Sequence, residues 1–346
     1  MGFFACVPES GTAARPHVEW EEPRCLLCNS DRASILLEAP DPLPGAGGLW
    51  FAVAQCQDCG LCYTNPRPHE RAIPQFYPDH YAPHRKATGP KRQTWWRNLR
   101  WWGKRGTETA ALPRTTPGRL LDFGCGSGAF LHRMHQRGWK VLGLDASERA
   151  VQRIRNERGL SVLVGSLPHP ELADGSFDLI TMRHSLEHCH RPLDVLRAAH
   201  RLLSPGGRLV VSAPNIDSLP FKWFGRYWRG LDLPRHLVHF TPDTLQLILA
   251  RAGFDVGPVR MMRHTDWVRQ SAELAGKRPD VPLWQRGLRR RWLANLATWY
   301  SYFARRSDGI VVAAIKSGPA IPAPVPALSR PDAEPRRSPG DRWRNT

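Results

Sequence analysis

Nowhere in its 346 residues does the chain hold the run of about 18 apolar residues that a membrane-crossing helix needs. The opening "MGFFACVPESG" has neither a basic n-region nor a long apolar stretch, so no secretory signal is expected. It begins Met-Gly but carries Cys6 where a myristoylation pattern asks for Ser or Thr. The expectation is a cytoplasmic protein, or one peripheral to a membrane surface. No internal repeat is visible. Acidic residues are scarce, 31 against 49 basic ones, for a net charge of +18. The imbalance is local: residues 83–119 carry ten Lys or Arg against one acid, and 264–306 carry nine against three. Such an excess points to an anionic partner, whether nucleic acid, a phosphorylated substrate or a membrane surface, without choosing among them.

What is present begins with eight cysteines. In a reducing compartment they argue for metal ligation over disulfides. Cys25-x2-Cys28 and Cys56-x2-Cys59 lie 27 residues apart, and two such pairs supply four thiolates that can surround one zinc ion tetrahedrally. A Pro/Gly-rich loop, "APDPLPGAGG", can absorb the long gap. A redox pair would open a helix in a thioredoxin-like pattern, and none is visible. Structural zinc on Cys25, Cys28, Cys56 and Cys59 is the expectation. Cys62 is a fifth thiol with no assigned task.

Residues 1–20 read as a loose leader, 21–80 as a zinc-binding module and 83–118 as a basic linker with four tryptophans. From 119 to 316, apolar strands ("RLLDFG", "KVLGLD", "SVLVGS", "FDLITMRH", "GRLVVSAP") alternate with helices at 127–138, 147–159 and 192–203. That alternation implies a doubly wound parallel sheet. Thr241 and Pro242 suit the start of another helix and Gly253 its end. "DVGPVRMM" and "DGIVVAAIKS" read as the last two strands, with a helical, basic, Trp-containing insert at 264–306 between them. The Pro- and Arg-rich tail 317–346 reads as disordered.

"LDFGCGSGAF" follows a strand and opens a helix. Gly124, Gly126 and Gly128 let the backbone turn sharply and approach a ligand. Asp145 ends the next strand, where an acid can bond both hydroxyls of a ribose. Asp122 would repel a pyrophosphate and suits a ligand with a positive amino group. At this point the chain resembles the class I S-adenosylmethionine (SAM)-dependent methyltransferases, whose first motif D-x-G-C-G-x-G is matched by "DFGCGSG". The resemblance runs over roughly 119–262 and the final strand. It implies an α/β, Rossmann-like, seven-stranded SAM methyltransferase fold. It also implies that Gly124, Cys125, Gly126 and Gly128 line the methionine part of SAM, with Asp145 and Ala146 at the ribose. Gly165 and Ser166 would flank the adenine. Cys125 is read as a small residue that fits the turn.

SAM carries its own activated methyl, so the protein has only to align an acceptor and remove its proton. In "HSLEHCH", His184, Glu187 and His188 are spaced to share one face of a helical turn, at the strand end where open sheets bind ligands. His188 is the candidate base with Glu187 as its orienter, and His184 borders the cofactor. Similar "LEH" segments occur in ubiquinone-pathway O-methyltransferases, where such residues can hold a metal ion. "GRYWRGLDLPRHLVHFTPDTL" resembles a bacterial methyltransferase subfamily linked to polysaccharides and secondary metabolites. Its sugar C-methyltransferases use a histidine here as base, which points to His236, with His239 also able to reach the acceptor pocket. The match departs at Leu233, where those enzymes have Tyr. "CQDCGLCYTNPRP" resembles the zinc-binding N-terminal module of the same subfamily. The Asn/Asp-Pro-Pro-Phe/Tyr segment of base-amine methylases is absent, which argues against that substrate.

"TWWRNLRWWGKR" and "WQRGLRRRWLANLATWYSYFARR" are basic and aromatic. They suit contact with an anionic membrane surface, or with nucleic acid, or simple packing onto the catalytic domain. The expectation is therefore a SAM-dependent methyltransferase with a zinc-ribbon-like module, acting on O or C of a small-molecule acceptor such as a sugar, a lipid-linked compound or a secondary metabolite. The alternatives are a zinc-ribbon RNA methyltransferase and a non-catalytic scaffold.

Overall fold

The computed structural model describes residues 18–43, 48–77, 116–276 and 281–316. Nearly all of the expected leader and of the basic linker, and the tail, therefore lie outside the described residues. The N-terminal segment forms β1 (Trp20–Glu21), β2 (Ala33–Pro40), β3 (Trp50–Cys56), β4 (Cys62–Thr64) and β5 (Arg67–Pro68). The chain then runs β6 (Arg119–Phe123), α1 (Ala129–His135), β7 (Lys140–Asp145), α2 (Glu148–Arg158), β8 (Val162–Val164), β9 (Phe177–Arg183), α3 (Pro192–Leu202), β10 (Leu203–Pro214), α4 (Leu219–Phe224), β11 (Val238–His239), α5 (Pro242–Arg251), β12 (Phe254–Val256), β13 (Arg260–Met262), α6 (Thr265–Ala275), α7 (Leu283–Gly287), α8 (Arg291–Phe303) and β14 (Gly309–Lys316).

The large sheet has the order β12-β14-β10-β9-β6-β7-β8, with β13 beside β14. Strands β6 to β10 pair in parallel, and the apolar runs that form them are buried as parallel strands require. The sheet is mixed, not parallel throughout: β14 runs antiparallel to β10, β12 and β13. The reversal follows from the insert. Helices α6 to α8 begin and end beside one another, where the His264 amide donates to the Asp308 carboxylate at 3.1 Å, so β14 must run back along β13. There are also eight strands and not seven. "DVGPVRMM" breaks at Gly257-Pro258, where proline has no amide to give the ladder, and its two halves pair with β14 separately. Thr241 caps α5 with a reciprocal Thr244 bond, and Pro242 follows it.

The N-terminal strands are built into this frame. β4 pairs with β11, Tyr63 opposite Val238 and Cys62 opposite His239, giving a sheet β11-β4-β3-β2. Side chains alternate across a strand, so Leu61 and Tyr63 join the core of the large sheet with Leu237 and Phe240. Cys62 faces the other way, among Phe51, Trp228 and Leu233. It stands outside the four-thiol cluster, and burial pushes its thiol up to about 12. Cys62 is a core residue.

A buried charge knot locks the same junction. The Arg235 side chain is 0% exposed and reaches Asp41 and Asp232, each 4% exposed, at 2.6 and 3.1 Å. Its remaining donors meet the carbonyls of Phe76 and Leu233. Replacing Arg235 by Leu would strand the Asp41 carboxylate away from water and leave Asp232 to Arg229 alone, 2.6 Å away, and is expected to cost roughly 3–5 kcal/mol of stability. Urea unfolding of the variant measures this, and a loss under about 1 kcal/mol would show that the knot does not hold the N-terminal segment in place.

Candidate active site

A cleft of 1320 Å³ opens at the carboxyl ends of the parallel strands, the ligand-binding end of such sheets. Its floor is the turn after β6. Gly124, Gly126 and Gly128 all have positive φ, at 71°, 53° and 68°. A side chain on Gly124 would drive its Cβ to 2.4 Å from Ser185 Cβ. Because the loop stays left-handed through Gly128, α1 starts only at Ala129, two residues later than the pattern predicts. The Asp145 carboxylate accepts from the Gly126 amide at 2.7 Å and the Ser147 amide at 2.9 Å. A carboxylate has about four acceptor positions, so Asp145 fixes the loop and still has capacity for hydroxyls. Asp122 is buried and accepts from the Thr181 hydroxyl at 2.7 Å. Ala146, Gly165 and Ser166 line the same end of the cleft. Cys125 lines it too, but burial, with the charges of Asp122 and Asp145, pushes its thiol far up. It is no nucleophile.

At the other end stand His188 and His236, ring centroids 4.7 Å apart. Nδ1 of His236 lies 2.8 Å from the carbonyl of Gly230, and Nδ1 of His188 lies 2.9 Å from that of Arg235. A carbonyl only accepts, so both protons sit on Nδ1 and both Nε2 atoms are the basic nitrogens. The Tyr77 hydroxyl, 2.9 Å from His188 Nδ1, shares that proton. Burial, then the neighbouring His188, lowers His236 to about 4, so it is neutral near pH 7. Glu187 is 0% exposed. Burial alone would raise its pKa, but the pairing with His184 (Nδ1 at 3.3 Å) outweighs it and holds the carboxyl below its ordinary value; His236 and His188 add to this only when protonated.

The pattern "HSLEH" thus separates in space. His184, at a positive φ of 52°, lies in the cleft wall against His264 and Trp267. His188 is held by Tyr77 and the Arg235 carbonyl and not by Glu187, which pairs instead with His184. His239 does not line the cleft. It is buried against Thr64, Nε2 at 3.2 Å from the hydroxyl, and Thr64 in turn donates to the His236 carbonyl at 2.7 Å. Tyr77, Asp41 and Thr64 carry no recognisable motif and went unseen in the sequence. Asp232 and Arg235 left a faint signal, the one acid of residues 225–240 and a base three residues on.

Glu187, His188 and His236 place three ligand atoms within 4.8 Å of one another. A carboxylate with two imidazole Nε2 atoms is a donor set for a divalent cation. The Cys25, Cys28, Cys56 and Cys59 sulfurs form a second group within the same distance. Cys25 and Cys59 are 3.4 Å apart, Cys28 and Cys56 3.5 Å, near the roughly 3.75 Å edge of a tetrahedron with 2.3 Å zinc–sulfur bonds. The two turns share one hydrogen-bond pattern. The amide of the first Cys donates to a carbonyl five residues on (Ser30, Leu61), and its carbonyl accepts from the fourth residue on (Asn29, Gly60). Asn29 and Gly60 both take positive φ, 61° and 75°. Bonding to Cys59 lowers Cys25 to about 5 while Cys59 is pushed up. Four sulfurs this close suit one cation better than four protons.

Residues 95–258 match a family model described as a methyltransferase domain. The ubiquinone biosynthesis O-methyltransferase of Pseudomonas aeruginosa is 39% identical over 103 residues, 28% of this chain and 44% of its own length. That of Bordetella avium is 32% identical over 170 residues, 46% of this chain and 70% of its own. The chain thus spans under half the length of the first of these relatives. Among solved structures, a SAM-dependent methyltransferase from Mesorhizobium loti aligns at 24% identity and a TM-score of 0.42, covering 60% of this chain and 95% of its own.

The buried imidazoles set an acid limit. Burial lowers His236 to about 4 and His239 to about 3, whereas an unfolded histidine titrates near 6.5. Between those values the unfolded chain binds protons that the native one refuses, so stability falls as pH drops from about 6.5 toward 3. Thermal melts from pH 8 to pH 4 should lose several degrees below pH 6.5, and His239→Gln should flatten that fall. A melting temperature level across the range would contradict the neutral, buried assignment.

Proposed function

The chain belongs to the class I SAM-dependent methyltransferases, and we propose that it moves the methyl group of SAM to an oxygen or carbon of a small-molecule acceptor. The observation that carries this reading is one cleft with the glycine turn and Asp145 at one end and the imidazoles of His188 and His236 beside the buried Glu187 carboxyl at the other. SAM supplies an electrophilic methyl on sulfur, so no enzyme nucleophile is required. The Gly124–Gly128 turn and Asp122 receive the amino-acid part, Asp145 and Ala146 the ribose, and Gly165 and Ser166 the adenine. His184 borders this end. At the acceptor end, Nε2 of His188 or His236 takes the proton as the acceptor attacks, and Glu187 stabilises the imidazolium that results. The curated relatives are named O-methyltransferases, which favours a hydroxyl acceptor, with a sugar, lipid-linked compound or secondary metabolite as its class. The basic Trp-bearing segments fit an anionic membrane surface, and nucleic acid less well.

A second reading of the acceptor end rests on the spacing of Glu187, His188 and His236. These residues would hold a divalent cation, which would supply Lewis-acid activation of an acceptor hydroxyl. Zinc held by Cys25, Cys28, Cys56 and Cys59 is structural in this proposal: it sets the turn before β2 and the turn after β3.

Three outcomes test these assignments. In calorimetry, SAM should bind the wild type and show no measurable heat with Asp145→Ala. His188→Ala and His236→Ala should keep SAM affinity, yet transfer from labelled SAM to hydroxylated acceptors should fall about 100-fold or more; full activity in both would discard the base. Metal analysis should find one zinc per chain that is lost in Cys25→Ser/Cys59→Ser, with a lower melting temperature. Strong, salt-sensitive RNA retention on filters would instead favour an RNA substrate.

A further inference from the structure

Helix α8 is amphipathic the wrong way round. A surface helix normally buries its large apolar residues. Here the buried residues are Ala294, Thr298 and Ser301, small side chains that let α8 lie close on α6, with the Thr265 and Thr298 hydroxyls 3.4 Å apart. Leu293, Trp299 and Tyr302 are half-buried, but four large apolar residues face out: Trp292 is 60% exposed, Leu296 58%, Tyr300 65% and Phe303 62%. At 100° per residue these four fall within roughly a quarter of the helix circumference, and at 1.5 Å per residue they span about 16 Å. The preceding α7 adds exposed Leu283 and Trp284. Between Val281 and Ser307 the sequence holds six arginines and no acid. Arg289, Arg290 and Arg291 are exposed at one end of α8, and Arg305 and Arg306 at the other.

We propose that the outer face of α8 is a docking surface for an anionic lipid bilayer. The charge pattern selects this occupant. A second copy of the same face would meet it with arginine against arginine. The basic segment 83–115, which also lies outside the described residues, would be repelled in the same way. Leu296 and Phe303 extend the stripe of Trp292 and Tyr300, and Leu296, being aliphatic, has no stacking value for a nucleic acid base. Both suit the acyl boundary, where Trp and Tyr favour the headgroup level and arginines meet anionic headgroups. The face also lies one helix from the site. α6, against which α8 packs, carries Trp267 and Gln270 into the cleft. This placement deepens the reading of a lipid-linked acceptor and rests on it only for the purpose of docking, not for the docking itself.

The test is co-sedimentation of the full chain with vesicles of phosphatidylcholine, with and without phosphatidylglycerol, alongside SAM calorimetry on the same samples. Wild type should bind the anionic vesicles, less so at high salt. Trp292→Ala/Leu296→Ala/Tyr300→Ala and, separately, Arg290→Gln/Arg291→Gln should each lower vesicle affinity at least tenfold, with SAM binding unchanged. The proposal is overturned if wild type ignores the vesicles or if the triple variant binds as wild type does. It is equally overturned if the substitutions abolish self-association in sedimentation velocity, or RNA retention on filters, without affecting vesicle binding. Vesicle binding without SAM binding would leave the docking face standing and remove the methyl-transfer reading.

Discussion

The two-residue ladder between β4 and β11 is the contact on which the site depends. It sets Tyr63 opposite Val238 and Cys62 opposite His239, and so ties the cysteine-bearing strands to the loop that carries His236. Around it, Thr64 bonds the His236 carbonyl and His239, Arg235 bonds Asp41, and Arg67, itself buried, donates to the His190 carbonyl. These are backbone pairs or buried polar and charged contacts, expensive to break because either partner would be left without water. Whatever shapes the cysteine turns therefore shapes the acceptor end of the cleft.

The acceptor end is organised by backbone carbonyls. Gly230 and Arg235 each hold one imidazole by Nδ1, which fixes the tautomer and leaves Nε2 basic. Burial keeps His236 neutral, and Glu187 is held below its ordinary value chiefly because its pairing with His184 outweighs its desolvation. Two imidazoles beside a buried carboxyl are placed to accept a proton or a cation, and both readings share the same atoms. The cofactor end is separately organised, with Asp145 gathering two amides of the glycine turn and of the α2 cap.

Local chemistry was legible. The glycine turn, the Thr241 cap and the alternation of strands and helices all depend on residues near in sequence, so spacing alone located them. The spacing of the two CxxC pairs likewise singled out the four sulfurs that cluster. Less legible were features set by partners far along the chain. The break at Gly257-Pro258 and the reversal of β14 depend on how the helical insert closes. In a string of letters His239 looks able to reach the acceptor pocket and Cys62 is a spare thiol, yet strand alternation and the β4–β11 register turn both into the core. Tyr77 is the converse, a residue with no motif that 111 positions of intervening chain bring to His188.

Residue order was thus enough to establish the α/β frame, the four sulfurs and the glycine turn with its acid, because each rests on propensity, periodicity or short-range spacing. Folding decided the partners of the histidines and the burial of Cys62. It also decided which face of α8 meets solvent. That last feature inverts the usual rule: the helix buries its small residues because α6 lies too close for large ones, and only packing reveals that.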